Sequence, residues 1–466
     1  MSSLWTLKAI ADATGGAHML DAVVGGISID TRTLEAGDLF VALQDARDGH
    51  AFVAAAIERG AAAALVSRDV PGVAPEKLVK VADTLKGLEA MGRARRFDVA
   101  ARVAAVTGSV GKTSTKEALR HLLSLQGLTH VSAASYNNMW GVPLSLARMP
   151  RATQYGVFEI GMNHAGEITP LTAQVRPHVT IVTTVAAVHL ENFASVGAIA
   201  DAKGEIFSGL EPGGVGVING DIEWRDRLTA HARRAQASRL IFFGRAAGCD
   251  VRLLSADLHE EASDLKIELF GKLLSYRIGA PGEHWALNSL GVLAVISALG
   301  GDAERAAHDM VTLNALAGRG ARERIHGAGG DFDLIDESYN ANPLSMAAAI
   351  ATLSRALPGQ GGRRIAVLGD MLELGPTGDS LHAGLATPLK AHGIDLVFAS
   401  GPLMRHLWQS VAEHQRGGYS DTSSDIAQAV VKSIQPGDVV MIKGSYGSKM
   451  RVVVEALRAL GAAQRS

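Results

Sequence analysis

The amino-acid sequence predicts an α/β protein of three domains. Three observations predict it. The chain has 466 residues, which is about three domains at roughly 100–200 residues each. Short β-branched runs bounded by glycine alternate with helical patterns, as in parallel sheets covered on both faces. One such run leads through a glycine loop directly into a helix, the arrangement of a P-loop ATPase. The expected order is a small N-terminal α/β domain (1–97), a central P-loop ATPase-like parallel-sheet domain (98–321) and a C-terminal Rossmann-like domain (322–466).

In the first domain the expected strands are 26–30, 38–42, 63–66 and 78–81, with an Ala-rich helix at 52–59. A second helix, 84–97, leads into the central domain. There the strands are 102–106, 155–160, 179–185, 215–218 and 239–243. The Gly- and Arg-rich stretch AGRGARER (317–324) then connects to a second doubly wound unit. Its expected strands are 332–336, 364–369, 394–400 and 438–444, with helices at 343–356 and 423–434.

Composition removes several function classes. Hydrophobic residues make up 47% and charged residues 20%, so every domain can bury a core and wholesale disorder is excluded. Lys+Arg number 45 against Asp+Glu 47, a net charge of −2, which leaves no broad basic face for nucleic acid. The single cysteine, Cys249, excludes an internal disulfide and a Cys-His metal cluster. The start, MSSLWTLKAIADATGG, lacks a basic region followed by an unbroken apolar stretch. No run reaches the ~18 apolar residues that span a bilayer. A cytoplasmic protein without membrane insertion is expected.

The strongest local signal is Thr107-Gly108-Ser109-Val110-Gly111-Lys112-Thr113-Ser114, between the strand RVAAV and the helix TSTKEALRHLLSL. Glycines let backbone N–H groups curl around phosphate oxygens, and the helix N-terminus adds its positive end. Lys112 would reach the outer phosphates, and the Thr113 hydroxyl would face Mg²⁺. Val106 stands where G-x-x-x-x-G-K-(S/T) has its first glycine, so an ordinary glycine turn is the alternative; strand, second glycine and helix together favour ATP or GTP.

Glu159 and His189 follow successive strands at the C-terminal sheet edge, where open α/β folds bind ligands. Each alone could be a solvated loop residue; side by side near the phosphate loop they read as catalytic groups. Lys203 in DAKGEIF is, by itself, only a helix lysine. Two polar stretches exceed what packing needs: Ser135-Tyr136-Asn137-Asn138, and Asp336-Glu337-Ser338-Tyr339-Asn340-Ala341-Asn342-Pro343. Asn342 before Pro343 also fits a helix N-cap, which leaves Glu337, Tyr339 and Asn340 unexplained.

TGSVGKTS, YNN…GVP, FEIGMNHAGEI, AHLENF, AKGEIF, GEHWALN and DESYNANP stand in the order and spacing of the Mur ligases, and the chain resembles that family from about residue 26 to its C-terminus. YNANP, GDMLELG (369–375) and KGS (443–445) resemble the branch that joins D-alanyl-D-alanine to UDP-N-acetylmuramoyl-tripeptide. The D-N-P-R motif of the preceding, diaminopimelate- or lysine-adding branch is absent.

The resemblance implies roles residue by residue. Ser28, Asp30, Thr31 and Arg32, with Asp48, Gly49 and His50, would hold the UDP end of the substrate. Asn137, Asn138, Tyr339, Asn340 and Asn342 would contact substrate. Gly108, Ser109, Val110, Gly111, Lys112, Thr113 and Ser114 would bind ATP, with His284 and Asn288 by the adenine and Arg319 and Glu337 near the nucleotide. Thr113 and Glu159 would hold one Mg²⁺ and His189 a second. Lys203 matches the family's carbamylated lysine, a further metal ligand. Lys112, Glu159, His189 and Lys203 form the implied catalytic set, and a monomer is expected. The implied chemistry is ATP-dependent amide formation through an acyl phosphate.

The pattern departs from the family at several places. QDAR after Leu43 lacks the usual glycine, Ser135 replaces an Asn, and Met139-Trp140 replaces an acidic-Ile pair. Trp285 replaces the Asn after His284, and Glu337 replaces an Asp. The alternatives are the preceding amino-acid-adding ligase, a folate-type glutamate ligase and a P-loop NTPase switch. The first domain's motifs disfavour the folate branch. A nucleotide-binding oxidoreductase is disfavoured because no G-x-G-x-x-G follows a strand.

Overall fold

The computed structural model describes residues 3–133, 136–327 and 329–462; Ser135 lies outside them. The first domain holds a four-stranded parallel sheet in the order Ile27–Ser28, Leu39–Val41, Ala63–Val66, Leu78–Lys80. The first strand is shorter than expected because the Ser28 hydroxyl donates to Asp30 O at 2.9 Å and turns the chain. Asp83 caps the helix Thr84–Asp98 by accepting from Lys86 N–H at 2.9 Å. This helix packs on Gly141–Ala147 of the next domain. A Cβ on Gly92 would lie 3.0 Å from Pro143 O, so the helices approach at bare backbone. Leu144 and Ala147 consequently join the first domain's core of Leu7, Leu39, Leu65 and Leu88.

The central sheet has nine strands. In spatial order they are Lys272–Ile278, Ser263–Leu269, Val251–Leu258, Arg239–Gly244, Val215–Asn219, Val179–Val182, Arg102–Thr107, Tyr155–Glu159 and Thr129–Val131. All pairings are parallel except those of the hairpin that ends in Lys272–Ile278, which return antiparallel. Along Arg102–Thr107, Val103 and Ala105 enter the core on one face while Ala104 and Val106 enter the core on the other. The helix Lys112–Ser124 turns Thr115, Ala118, Leu119 and Leu122 inward at helical spacing, beside the helix Glu283–Ala298.

His178 anchors the start of that central strand: its Nδ1 accepts from Val103 N–H at 3.0 Å. Burial, then the charges of Arg102 and Arg96, lower its pKa to about 4. A histidine held neutral in the fold stabilises it fully above its unfolded pKa of ~6.5 and loses that contribution as pH falls toward its folded value. The melting temperature is therefore expected to drop between about pH 6.5 and 5, and to drop less in His178→Asn. An equal drop in both proteins would remove His178 as the cause.

The third domain's sheet runs Ala321–Gly327, Gly330–Glu337, Val439–Lys443, Arg364–Gly369, Leu396–Ser400, Arg416–Ser420, with only the first pair antiparallel. The stretch 317–324, read as a connector, instead turns at 317–320 and becomes an edge strand from Ala321. Its arginines are neutralised across the sheet: Arg322 and Arg324 both bind Asp333, at 2.5 and 2.8 Å. Among the described residues no helix is long and apolar enough to cross a membrane.

Candidate active site

Strand Arg102–Thr107 lies between Val179–Val182 and Tyr155–Glu159, so the chain leaves it at the switch point of the central sheet. The glycine loop emerges there. Gly108 has φ 152°, and a Cβ on it would sit 1.9 Å from Thr183 Oγ1. Thr183 donates to Val110 O at 2.6 Å, while Ser109 N–H donates to Thr184 O at 2.8 Å. Ser109 Oγ in turn accepts from Ala186 N–H at 2.9 Å. Strand Val179–Val182, expected to reach 185, ends here: Thr183 N–H still binds Thr107 O, and from Thr184 the backbone binds the loop instead of a neighbouring strand.

Lys112 folds back, donating to Gly108 O at 2.6 Å. Burial lowers its pKa, Glu159 opposes that shift, and Arg319 adds to it. Thr113 Oγ1 donates to Glu159 Oε2 at 2.8 Å, and Asn137 Nδ2 donates to Oε1 at 2.8 Å. Glu159 is 2% exposed, and its own N–H donates to Ser132 Oγ. A buried carboxylate and a hydroxyl beside a phosphate loop form the oxygen-donor pair that a hard divalent cation takes when nucleotide and water supply the rest. No group of three His, Cys, Asp or Glu side chains among the described residues forms a preassembled metal cluster, so His189 does not join Glu159 in one.

Lys203 ends the helix Val196–Gly204 and is 2% exposed. No carboxylate pairs with it among the described residues; burial, then the charge of Lys112, hold its pKa well below the ordinary lysine range. Arg319 stacks on Tyr339, its Cζ 4.2 Å from the ring centroid, and its charge reaches Lys112. Half-buried His284 starts the helix Glu283–Ala298; burial lowers its pKa, with Glu337 opposing. Lys443 binds Glu337 at 3.0 Å and Asn340 O at 2.9 Å. The Asn288 amide lies against Gly111, 3.0 Å from where a Cβ would stand. The charges of Glu337 and Lys443 in the third domain thus reach His284 in the second.

Three family descriptions match successive parts of the chain: "Mur ligase family, catalytic domain" over residues 23–101, "Mur ligase middle domain" over 106–296, and "Mur ligase, glutamate ligase domain" over 322–446. The UDP-N-acetylmuramoyl-tripeptide–D-alanyl-D-alanine ligase of Bacillus subtilis is 33% identical over 462 residues, covering 97% of this chain and 98% of its own. The chain belongs to the Mur ligase family. MurF from Acinetobacter baumannii superposes with a TM-score of 0.84 at 29% identity, over 98% of this chain and 99% of that one. MurF ligase from Thermotoga maritima, solved in complex with ADP, gives 0.78 at 26% identity over 94% and 98%.

Against the Mur ligase pattern, several expected substrate contacts are occupied within the protein. Both ring nitrogens of His50 are engaged: Nδ1 lies 2.7 Å from Asp48 Oδ1, and Nε2 accepts from Ser67 N–H at 2.9 Å. Asp48 also pairs with Arg68. Gly49 is required because a Cβ would meet Leu43 O at 2.5 Å. Asp30 holds Arg32 through Nε and Nη2, at 3.0 and 2.6 Å, leaving that guanidinium exposed beside half-buried Thr31. Asn138 Oδ1 accepts from Trp140 and Gly141 N–H and so turns the chain into the next helix. Asn342 is the N-cap of a capping box with Ser345. The Trp285 departure is a packing choice, since the indole is 4% exposed within the central core. Of the other departures, Met139 is exposed and Trp140 precedes the helix Gly141–Ala147.

The sequence reading assigned no role to Thr183, Ser132 or Lys443. Lys443 was signalled by the quoted KGS; the two hydroxyls carry no local signal, because only the fold brings them to the loop.

Proposed function

We propose that the protein joins D-alanyl-D-alanine to UDP-N-acetylmuramoyl-tripeptide at the expense of ATP, releasing ADP and phosphate. One observation carries this reading: Lys112, the Thr113–Glu159 pair and Lys203, which has no ion-pair partner among the described residues, gather at the phosphate loop, and Arg319, whose charge reaches Lys112, stacks on Tyr339. A free carboxylate is a poor acyl donor. The terminal carboxylate oxygen of the tripeptide attacks the γ-phosphorus, the bond to ADP breaks, and an acyl phosphate forms. The amine of D-alanyl-D-alanine then adds to the carbonyl carbon, loses a proton, and expels phosphate.

The loop amides orient the nucleotide, and Lys112 exchanges its contact with Gly108 O for the phosphate being transferred. Thr113 and Glu159 would hold one Mg²⁺ and His189 a second, and when bound these ions would neutralise charge on the phosphate oxygens. Burial holds the pKa of Lys203 well below the ordinary lysine range; as the amine it would add to CO₂ and release a proton, giving a carbamate carboxylate that would join the metal ligands. Seating of the third domain keeps water from the acyl phosphate.

The experiment is isotopic. With both tripeptide carboxylate oxygens as ¹⁸O, one label should appear in the released phosphate and one in the new amide carbonyl. Phosphate free of label would sink the acyl-phosphate route.

A further inference from the structure

The loop after strand Arg364–Gly369, part of GDMLELG, takes no role in the site described so far. It reaches the central domain. Glu373 Oε2 lies in close contact with His189 Nδ1 across the domain junction, without the alignment of a well-directed hydrogen bond. His189 Nδ1 is shut off from solvent. The loop continues onto the next residues, where a Cβ on Gly375 would lie 3.4 Å from the Glu191 backbone.

Both partners adopt the left-handed backbone conformation, His189 at φ 54° and Glu373 at φ 64°. Only six non-glycine residues in the described chain have positive φ, and two of them meet here. Such conformations are disfavoured for residues that carry a Cβ and persist where the surroundings over-determine them. The Glu373 loop is braced from behind: Met371 N–H donates to His382 Nε2 and Leu372 N–H to Ser445 Oγ, both at 2.9 Å. Asp370 accepts from Met404 N–H at 2.8 Å. A partly exposed charge contact alone is worth little; two left-handed residues that meet where one of their loops is braced call for more than charge pairing.

We propose that Glu373 is a positioning residue for His189: it holds the imidazole as the Nδ1–H tautomer, leaves the Nε2 lone pair for the cation, and makes the metal site depend on seating of the third domain. This inference rests on reading His189 as a metal ligand. An imidazole ligand must be neutral, and a carboxylate on its other nitrogen sets its tautomer and ring orientation.

Two readouts test it. In metal-free, ¹⁵N-histidine-labelled protein, the His189 ring should be the Nδ1–H tautomer. Glu373→Ala should shift it toward Nε2–H, and Glu373→Gln, whose amide oxygen still accepts, should retain it. In a Mn²⁺ titration of the ADP-bound protein followed by electron paramagnetic resonance, Glu373→Ala should bind 10–100-fold more weakly and Glu373→Gln should lie between it and wild type. Should Glu373→Ala not fold, Glu373→Asp, with its shorter reach, carries the same expectations. An unchanged tautomer with unchanged Mn²⁺ affinity would overturn the proposal while His189→Ala still lowers that affinity. If His189→Ala leaves Mn²⁺ binding intact, the metal reading of His189 fails, and this inference with it.

Discussion

Lys203→Ala is expected to lose about two to three orders of magnitude in ligation rate and to regain part of it when a short-chain carboxylic acid is added. A buried lysine without a carboxylate partner is costly as a cation, and the fold favours the amine by withholding water and placing Lys112 nearby. That makes it a poor salt-bridge donor and a good nucleophile toward CO₂. Once carbamylated, the side chain ends in a carboxylate, so alanine removes a metal ligand and leaves a space that an added carboxylate can occupy. An amine acting only as a structural cation would not be replaced by an acid. Steady-state rates with and without the acid decide the matter: full activity in the unrescued variant would take Lys203 out of the site.

Gly108→Ala is the second large effect, expected to weaken ADP binding by about tenfold to a hundredfold, from ~1–3 kcal/mol of strain. The position combines φ 152° with a Cβ that would stand 1.9 Å from Thr183 Oγ1. Thr183 cannot retreat without giving up its hydrogen bond to Val110 O, so the loop itself must open. Calorimetric titration with ADP reads the loss, and a thermal melt shows whether the rest of the protein stays folded. Wild-type affinity in Gly108→Ala would mean that the loop does not carry the phosphates.

Local signals made the phosphate loop legible in the sequence, because strand, glycine turn and helix are consecutive. Glu159 was legible as a strand-end residue and Asn342 as a cap, whereas His189 lies in the loop beyond a strand that ends at Val182. The antiparallel hairpin of Ser263–Leu269 and Lys272–Ile278 was missed; its strands are defined by pairing with each other and with Val251–Leu258, which carries a register shift between Leu253 and Ser255. Arg416–Ser420 was missed because RGGYS has two glycines, whose space Phe398 fills from the neighbouring strand. The edge strand Ala321–Gly327 reads as a linker because its arginines find Asp333 only across the sheet.

The same limit applies to the site. His50, Asn138 and Asn342 match the family's motifs, and their side chains make hydrogen bonds within the protein itself. Sequence position could not separate a side chain that shapes the substrate site from one that touches substrate. Glu373 is the converse, a motif residue whose partner lies in another domain.

The most direct measurement is phosphate release from ATP with UDP-N-acetylmuramoyl-dipeptide or -tripeptide, each paired with D-alanyl-D-alanine or diaminopimelate, with the product mass recorded. The account predicts turnover only with tripeptide plus D-alanyl-D-alanine, and a product equal in mass to both substrates less one water. Turnover only with dipeptide plus diaminopimelate, or ATP hydrolysis that needs neither acceptor, would contradict it.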